Sequence, residues 1–194
     1  MDIREKYPQG QTWQEWLNTI ATNRERFQAN YEQCPLTPED LSFLRGIDRD
    51  VHILAIGAEW CGDVVRQLPI VARMCAENAH LHLRILNRDA HLDVMDRYLF
   101  NGARSIPVFV FFNDRFIEVG HWQARPSRGR RLIARGKAAG CLADAQRLVQ
   151  DLMNADNNRS TIEEIKGLLA DALVTPENWM ILDETAGLRR NAPG

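Results

Sequence analysis

Long apolar runs are missing from this chain, and that absence excludes the most. No stretch approaches the ~18 consecutive apolar residues of a bilayer-spanning helix. The opening residues Met1-Asp2-Ile3-Arg4-Glu5-Lys6 lead into no apolar segment of the secretory kind. Cysteine is scarce: four residues, at 34, 61, 75 and 141, fall in none of the spacings of a zinc site or a disulfide scaffold. A reducing cytoplasm and no membrane contact are therefore expected. His52, His80, His82, His91 and His121 show no ligand spacing either, so neither metal nor cofactor is expected. An excess of either charge is also lacking. A formal net charge of −2 exerts no general pull toward nucleic acid, which makes it an unexpected partner. Phosphate-binding glycine loops, serine triads, internal repeats and low-complexity blocks are absent.

What is present is ordinary globular material. With 45% hydrophobic and 26% charged residues over 194 positions, the chain can bury one substantial core. The expected division is a helical N-terminal extension (1–50), an α/β core (51–125) and a helical C-terminal extension (126–194). The centre is Ile53-Leu54-Ala55-Ile56-Gly57-Ala58-Glu59-Trp60-Cys61-Gly62-Asp63-Val64. Val51 to Ile56 is a short β-branched apolar run that stops at Gly57 and predicts a buried strand. Val64, Val65, Leu68, Val71, Ala72 and Cys75 share one face at helical spacing. Cys61 thus falls at the start of a helix, where unpaired backbone N–H groups and the helix dipole favour an anion by ~0.3–1 kcal/mol. Glu59 and Asp63 bring negative charge close by and oppose that effect.

Upstream, Thr12-Trp13-Gln14-Glu15 is a capping box. Trp13, Trp16, Leu17, Ile20, Phe27 and Tyr31 then predict one long amphipathic helix, whose aromatic stripe packs on the fold or forms a dimer surface. Thr37-Pro38-Glu39-Asp40 starts a shorter helix through Ile47. Downstream, Leu81–Leu86 alternates as a half-covered strand, parallel to the first. A helix from Leu92 through Leu99 is expected to stop at Asn101-Gly102. Pro107–Phe112 and Phe116–Val119 form a hairpin. The basic stretch Arg125, Arg128, Arg130, Arg131, Arg135 and Lys137 reads first as a solvated face, with a grip on nucleic-acid phosphate or an acidic partner through 125–137 as the weaker alternative. Leu142–Met153 is a helix, and Ser160-Thr161-Ile162-Glu163 is a capping box opening another. Thr175-Pro176-Glu177 starts a short turn around Trp179-Met180-Ile181, and residues 189–194 fray.

Trp60-Cys61-Gly62-Asp63 resembles the thioredoxin active-site segment, whose usual form is Trp-Cys-Gly-Pro-Cys. Pro69 stands where the family carries a helix-kinking proline, Ser105-Ile106-Pro107-Val108-Phe109 is similar to its cis-proline segment, and Gly120 is expected just after the next strand. The resemblance covers roughly 51–122 and implies a thioredoxin-like fold: a central mixed sheet flanked by helices. It also implies departures. The second cysteine of the family is Val64 here, its buried aspartate is Ala55, and its loop proline is Asp63.

The resemblance assigns Cys61 as nucleophile. Trp60, Gly62, Asp63, Ile106 and a cis Pro107 become substrate contacts, with Glu59 and Arg104 as possible modulators. Cys75 lies fourteen residues along the helix, about 21 Å away, too far to resolve an adduct on Cys61. Cys34 and Cys141 remain open as partners. Two functions follow. One is a monothiol oxidoreductase or thiol transferase acting on protein or low-molecular-weight thiols and disulfides. The other is a redox-inactive module that binds a protein partner along the Trp60/Ile106–Pro107 groove.

Overall fold

The structure is a computed structural model and is described for residues 2–175. Ahead of the sheet come four α-helices, α1 (Ile3–Lys6), α2 (Trp13–Thr19), α3 (Arg24–Glu32) and α4 (Pro38–Arg45), with a single 3-10 turn at Tyr7–Gln9 after the first. Then follow β1 (Val51–Gly57), α5 (Gly62–Cys75), β2 (Leu81–Asn87), α6 (Leu92–Met95), β3 (Val108–Phe112) and β4 (Glu118–Gln123). Three helices complete the described chain: α7 (Ser127–Ala138), α8 (Leu142–Ala155) and α9 (Arg159–Ala172). The turn expected around Trp179 and the residues 189–194 lie outside the described residues.

The strands order β2-β1-β3-β4. β1 runs parallel to β2, with Val51 opposite Leu81, and antiparallel to β3, with Ala55 opposite Phe109. β3 and β4 are antiparallel. The order explains the composition of each strand. β1 and β3 lie inside the sheet and read as nearly unbroken apolar runs, whereas the edge strands β2 and β4 keep half-exposed positions. The outer edge of β2 is met by Gln11, whose N–H and C=O each bond Ile85 at 2.8 Å. This closes part of an edge that would otherwise invite another strand.

One buried apolar cluster runs from Ile3 through the sheet to Ala172. α9 belongs to it: Ile162, Ile165 and Leu169 are buried, and the helix packs against β3 and β4. Trp122 of β4 stacks on Phe109, and its indole N–H donates to Glu164 Oε2 at 2.7 Å. A second link joins the two ends of the chain. Asp40 is 1% exposed, yet its carboxylate accepts from Arg159 at 2.6 and 2.8 Å and from Lys166 at 2.9 Å. These cations hold its carboxyl well below the usual carboxylate range, against the opposing effect of desolvation. It also accepts from the Thr37 N–H, completing a capping box on α4.

Four local expectations change. The single long N-terminal helix is two, because Ile20 turns extended and Asn23 adopts a left-handed conformation (φ 60°). The break serves the loop before Cys61: the Ala21 N–H bonds Glu59 Oε1, and Asn23 Nδ2 donates to the Glu59 carbonyl. α6 is a single turn ending at Met95, and Leu99 is 44% exposed. Asn101 and Gly102 do take positive φ, but in a turn closed by paired bonds between Phe100 and Ala103. The strand expected at Phe116–Val119 runs from Glu118 to Gln123, so Gly120 lies inside it rather than after it, while Phe116 (φ 60°) forms the turn. Ser160 does not cap α9. That helix starts at Arg159 behind a left-handed Asn158, and the Ser160 hydroxyl reaches back to Asp156.

α5 carries Pro69 in its interior. Proline has no N–H, so the Val65 carbonyl four residues earlier loses its helical partner. Asn30 Nδ2 of α3 supplies one at 2.8 Å. The buried backbone acceptor is thus satisfied from a neighbouring helix, which seats α3 along α5.

Candidate active site

β1 ends at Gly57, where a Cβ would lie 2.9 Å from Val64 Cγ1, so only glycine lets the strand end approach the start of α5 this closely. Ala58, Glu59 and Trp60 make the turn, closed by the Cys61 N–H bonding the Ala58 carbonyl at 3.1 Å. Cys61 is the N-cap of α5: its carbonyl accepts from Val65 N–H at 3.0 Å, and its side chain makes no capping bond. The thiol is therefore not spent on the helix end. It points across to the Ile106 carbonyl, 3.8 Å away, a weak S–H···O contact.

The Ile106–Pro107 peptide is cis. Two groups that sequence reasoning missed hold this loop. Buried Gln123 donates from Nε2 to the Tyr98 and Ser105 carbonyls at 2.6 and 3.0 Å, and the Ala124 N–H bonds the Pro107 carbonyl at 2.7 Å. Both Ile106 and Pro107 are buried, so the backbone rather than their side chains faces the thiol.

Around the thiol, Trp60 is 55% exposed; Arg88 lies 4.6 Å over its ring, and its indole N–H donates to Asp89 at 3.2 Å. A Cβ added at Gly62 would meet no atom within 4 Å, so crowding does not require glycine there. Glu59 is engaged by residues 21–23. Arg104 turns away to Asp96, with bonds of 2.6 and 2.8 Å. The cation beside Asp63 is instead Arg125, at 2.5 Å. Burial nevertheless pushes the Asp63 carboxyl upward, more than Arg125 and Arg66 pull it down.

Cys61, Gly62 and Asp63 open onto a cleft of about 600 Å³. Its walls come from α3 (Arg26, Asn30), α5 (Arg66) and Arg125, and from the α8–α9 region (Gln150, Asn154, Asn157, Asn158). Apart from Arg125, none of these wall residues carries a local signal. They stand in three distant segments and meet only in the fold. The rest of the basic stretch is a solvated helix face: Arg128, Arg131, Arg135 and Lys137 are exposed, while Arg130 donates to the Gln123 and Arg125 carbonyls.

All four cysteines are free. Cys75 and Cys34 are pushed up to about 12 and about 11 by burial, and Cys141 is exposed at the start of α8. Among the described residues no group of three or more His, Cys, Asp or Glu could hold a metal ion, and no helix is long and apolar enough to cross a membrane.

The sheet, the strand–thiol–helix junction and the facing cis-proline loop define a thioredoxin-like α/β protein. The chain belongs to the thioredoxin family, whose profile matches residues 10–139. Two solved structures resemble it over most of its length. One is a protein of unknown function from Pseudomonas aeruginosa, with TM-score 0.67 and 16% identity over 89% of this chain and 99% of that one. The other is an HIV epitope-scaffold, with TM-score 0.65 and 16% identity over 88% and 98%. A Fasciola hepatica thioredoxin aligns at TM-score 0.34, with 21% identity over 50% of this chain and 88% of that one. No curated protein matches the sequence.

Proposed function

We propose that this protein is a thiol–disulfide oxidoreductase or thiol transferase that works through Cys61 alone. The observation that carries the reading is the placement of one uncrosslinked thiol at the N-terminus of α5, facing the cis Ile106–Pro107 backbone and opening onto a cleft. Position 64, where a resolving cysteine would stand, is a fully buried valine. The chemistry is then two exchanges. The Cys61 thiolate attacks one sulfur of a disulfide, the second sulfur leaves as thiolate, and a mixed disulfide remains on Cys61. A second thiolate attacks that adduct, forms a new disulfide and returns Cys61 as thiolate. Trp60, Gly62 and Asp63 flank the incoming disulfide, and the Ile106–Pro107 backbone backs it.

The exposed Trp60 ring supports a second reading, a partner-binding surface without redox turnover. The test is iodoacetamide alkylation of Cys61 across pH, together with turnover of a mixed-disulfide substrate in the presence of a small thiol. Rapid alkylation at Cys61 and turnover abolished by Cys61→Ser support the oxidoreductase. A Cys61 that alkylates no faster than an unfolded-peptide cysteine, with no turnover, leaves the binding module standing.

A further inference from the structure

The cleft beside Cys61 is unusual for a small-molecule site because polar groups dominate it. Its volume of about 600 Å³ is that of a small-ligand pocket. Such pockets are mostly apolar, whereas this one presents Arg26, Arg66 and Arg125 against a single acid, Asp63. Asp63 is paired with Arg125, which leaves two arginine charges in excess at the cleft wall. Asp156 lies close enough to act on Arg66 but makes no ion pair with it.

The hydrogen bonds sharpen this. Arg66 donates from Nε to Asn158 Oδ1 at 2.6 Å and from Nη1 to Asn154 Oδ1 at 2.7 Å. A guanidinium has only donors, so both asparagines must turn their oxygens to it. Their Nδ2 groups are left without a partner among the described residues. The hydrogen-bond acceptors on Arg66 are both neutral amide oxygens, and the carboxylates of Asp156 and Asp63 act on its charge without forming an ion pair with it. Among the lining residues positive charge is thus in excess, although Asp156 Oδ1 behind the wall is a buried acceptor without a partner among the described residues, and the chemistry that satisfies such a lining is a carboxylate or phosphate oxyanion. Asn157 and Asn158, both left-handed (φ 50° and 60°), bend the chain between α8 and α9 at this wall.

We propose that the cleft is a subsite for a low-molecular-weight thiol bearing oxyanion groups, and that this thiol releases Cys61 from its mixed disulfide. The inference rests on the monothiol reading above and names its second substrate. Arg66, with Arg26, holds the anion while the ligand's sulfur reaches Cys61, which lines the same cleft. The bound thiolate bonds to the sulfur carried by Cys61. The bond to Sγ breaks, Sγ keeps its electron pair and takes a proton from water, and the new disulfide departs.

The experiment uses the full chain with Cys141→Ser, which removes the exposed competing thiol, and Cys61→Ser as a blank. Cys61 is converted to its neutral 2-pyridyl mixed disulfide, and release of 2-thiopyridone is followed. Four thiols are compared: mercaptosuccinate (carboxylates), 4′-phosphopantetheine (phosphate), 2-mercaptoethanol (neutral) and cysteamine (cationic). Intrinsic reactivity cancels when each rate is taken as a ratio between variants. The expected result is an anionic-over-neutral preference that falls about tenfold in Arg66→Gln, the scale of one charge-assisted bond. It falls in the same direction in Arg26→Gln, whose exposed side chain gives up one bond, to Asn23 Oδ1 at 3.1 Å, and weakens with added salt. Whichever of mercaptosuccinate and phosphopantetheine is preferred identifies the oxyanion. Equal variant ratios for all four thiols would overturn the subsite while leaving the monothiol reaction intact. Failure of Cys61 to form the pyridyl adduct would overturn the monothiol reading itself.

Discussion

Replacing Asp40 by alanine removes the carboxylate that ties α4 to α9. At 1% exposure it accepts four hydrogen bonds: two from Arg159, one from Lys166 and one from the Thr37 N–H. The cap accounts for ~1 kcal/mol. Deleting one side of a buried ion pair typically costs about 3–5 kcal/mol, because the abandoned charge stays desolvated. Here the cations have some escape. Arg159 and Lys166 are 32% and 19% exposed and already touch Glu163 at 2.9 and 3.4 Å. The lower end of the range applies, and with the cap the whole loss should be roughly 4 kcal/mol out of the ~5–15 typical of a domain. Urea titration followed by tryptophan fluorescence measures it, with the midpoint falling and the slope unchanged.

The pH dependence checks the cause. Asp40 is depressed in the folded state, so its contribution is complete above the unfolded aspartate value of about 3.9 and is lost as pH falls toward the folded value. The gap between wild type and Asp40→Ala should therefore hold from pH 7 to about 4.5 and narrow steadily below that. A gap under ~1 kcal/mol at pH 7, or one indifferent to acid, would refute the ion-pair account.

Three further outcomes are expected. Asn30→Ala leaves the Val65 carbonyl without a partner and should destabilise by about 1–3 kcal/mol in urea titration, whereas the same change beside Pro69→Ala should cost less because the helix regains its own N–H. Gly136→Ala drives a Cβ to 2.2 Å from that of Ala145, so the α7–α8 crossing should open, with about 1–3 kcal/mol lost and faster amide exchange confined to those helices. Asp50 is pushed down to about 2 by hydrogen bonds from His82 and His80. Its contribution is present above the unfolded value of about 3.9 and fades as pH drops toward 2, and carboxyl NMR titration of a His80→Gln/His82→Gln protein should find its midpoint moved upward.

Local chemistry in the sequence determined the central fold. Val51–Ile56, the apolar face of α5, the Thr12 and Thr37 capping boxes and Pro107 act over a few residues, and each forms where its pattern places it. Periodicity misled where a distant group competed. The Trp13–Tyr31 stripe keeps helical spacing across a break because Glu59, far along the chain, bonds the backbone and side chains of residues 21–23. Leu99 suited a helix that loses its register once Phe100 and Ala103 pair.

The thiol itself was legible, since a strand end, one cysteine and a helix start lie together in the chain. Its surroundings were not. Arg26, Arg66 and Asn158 meet only after α3 seats on α5 and the α8–α9 bend closes against them. Arg125 rather than Arg104 reaches Asp63 because Arg104 is already held by Asp96. Nearest-neighbour patterns encode helices, strands and caps, since those energies depend on residues a few positions apart. Charge pairing and cleft shape depend on distances through space, and only the packed chain sets those.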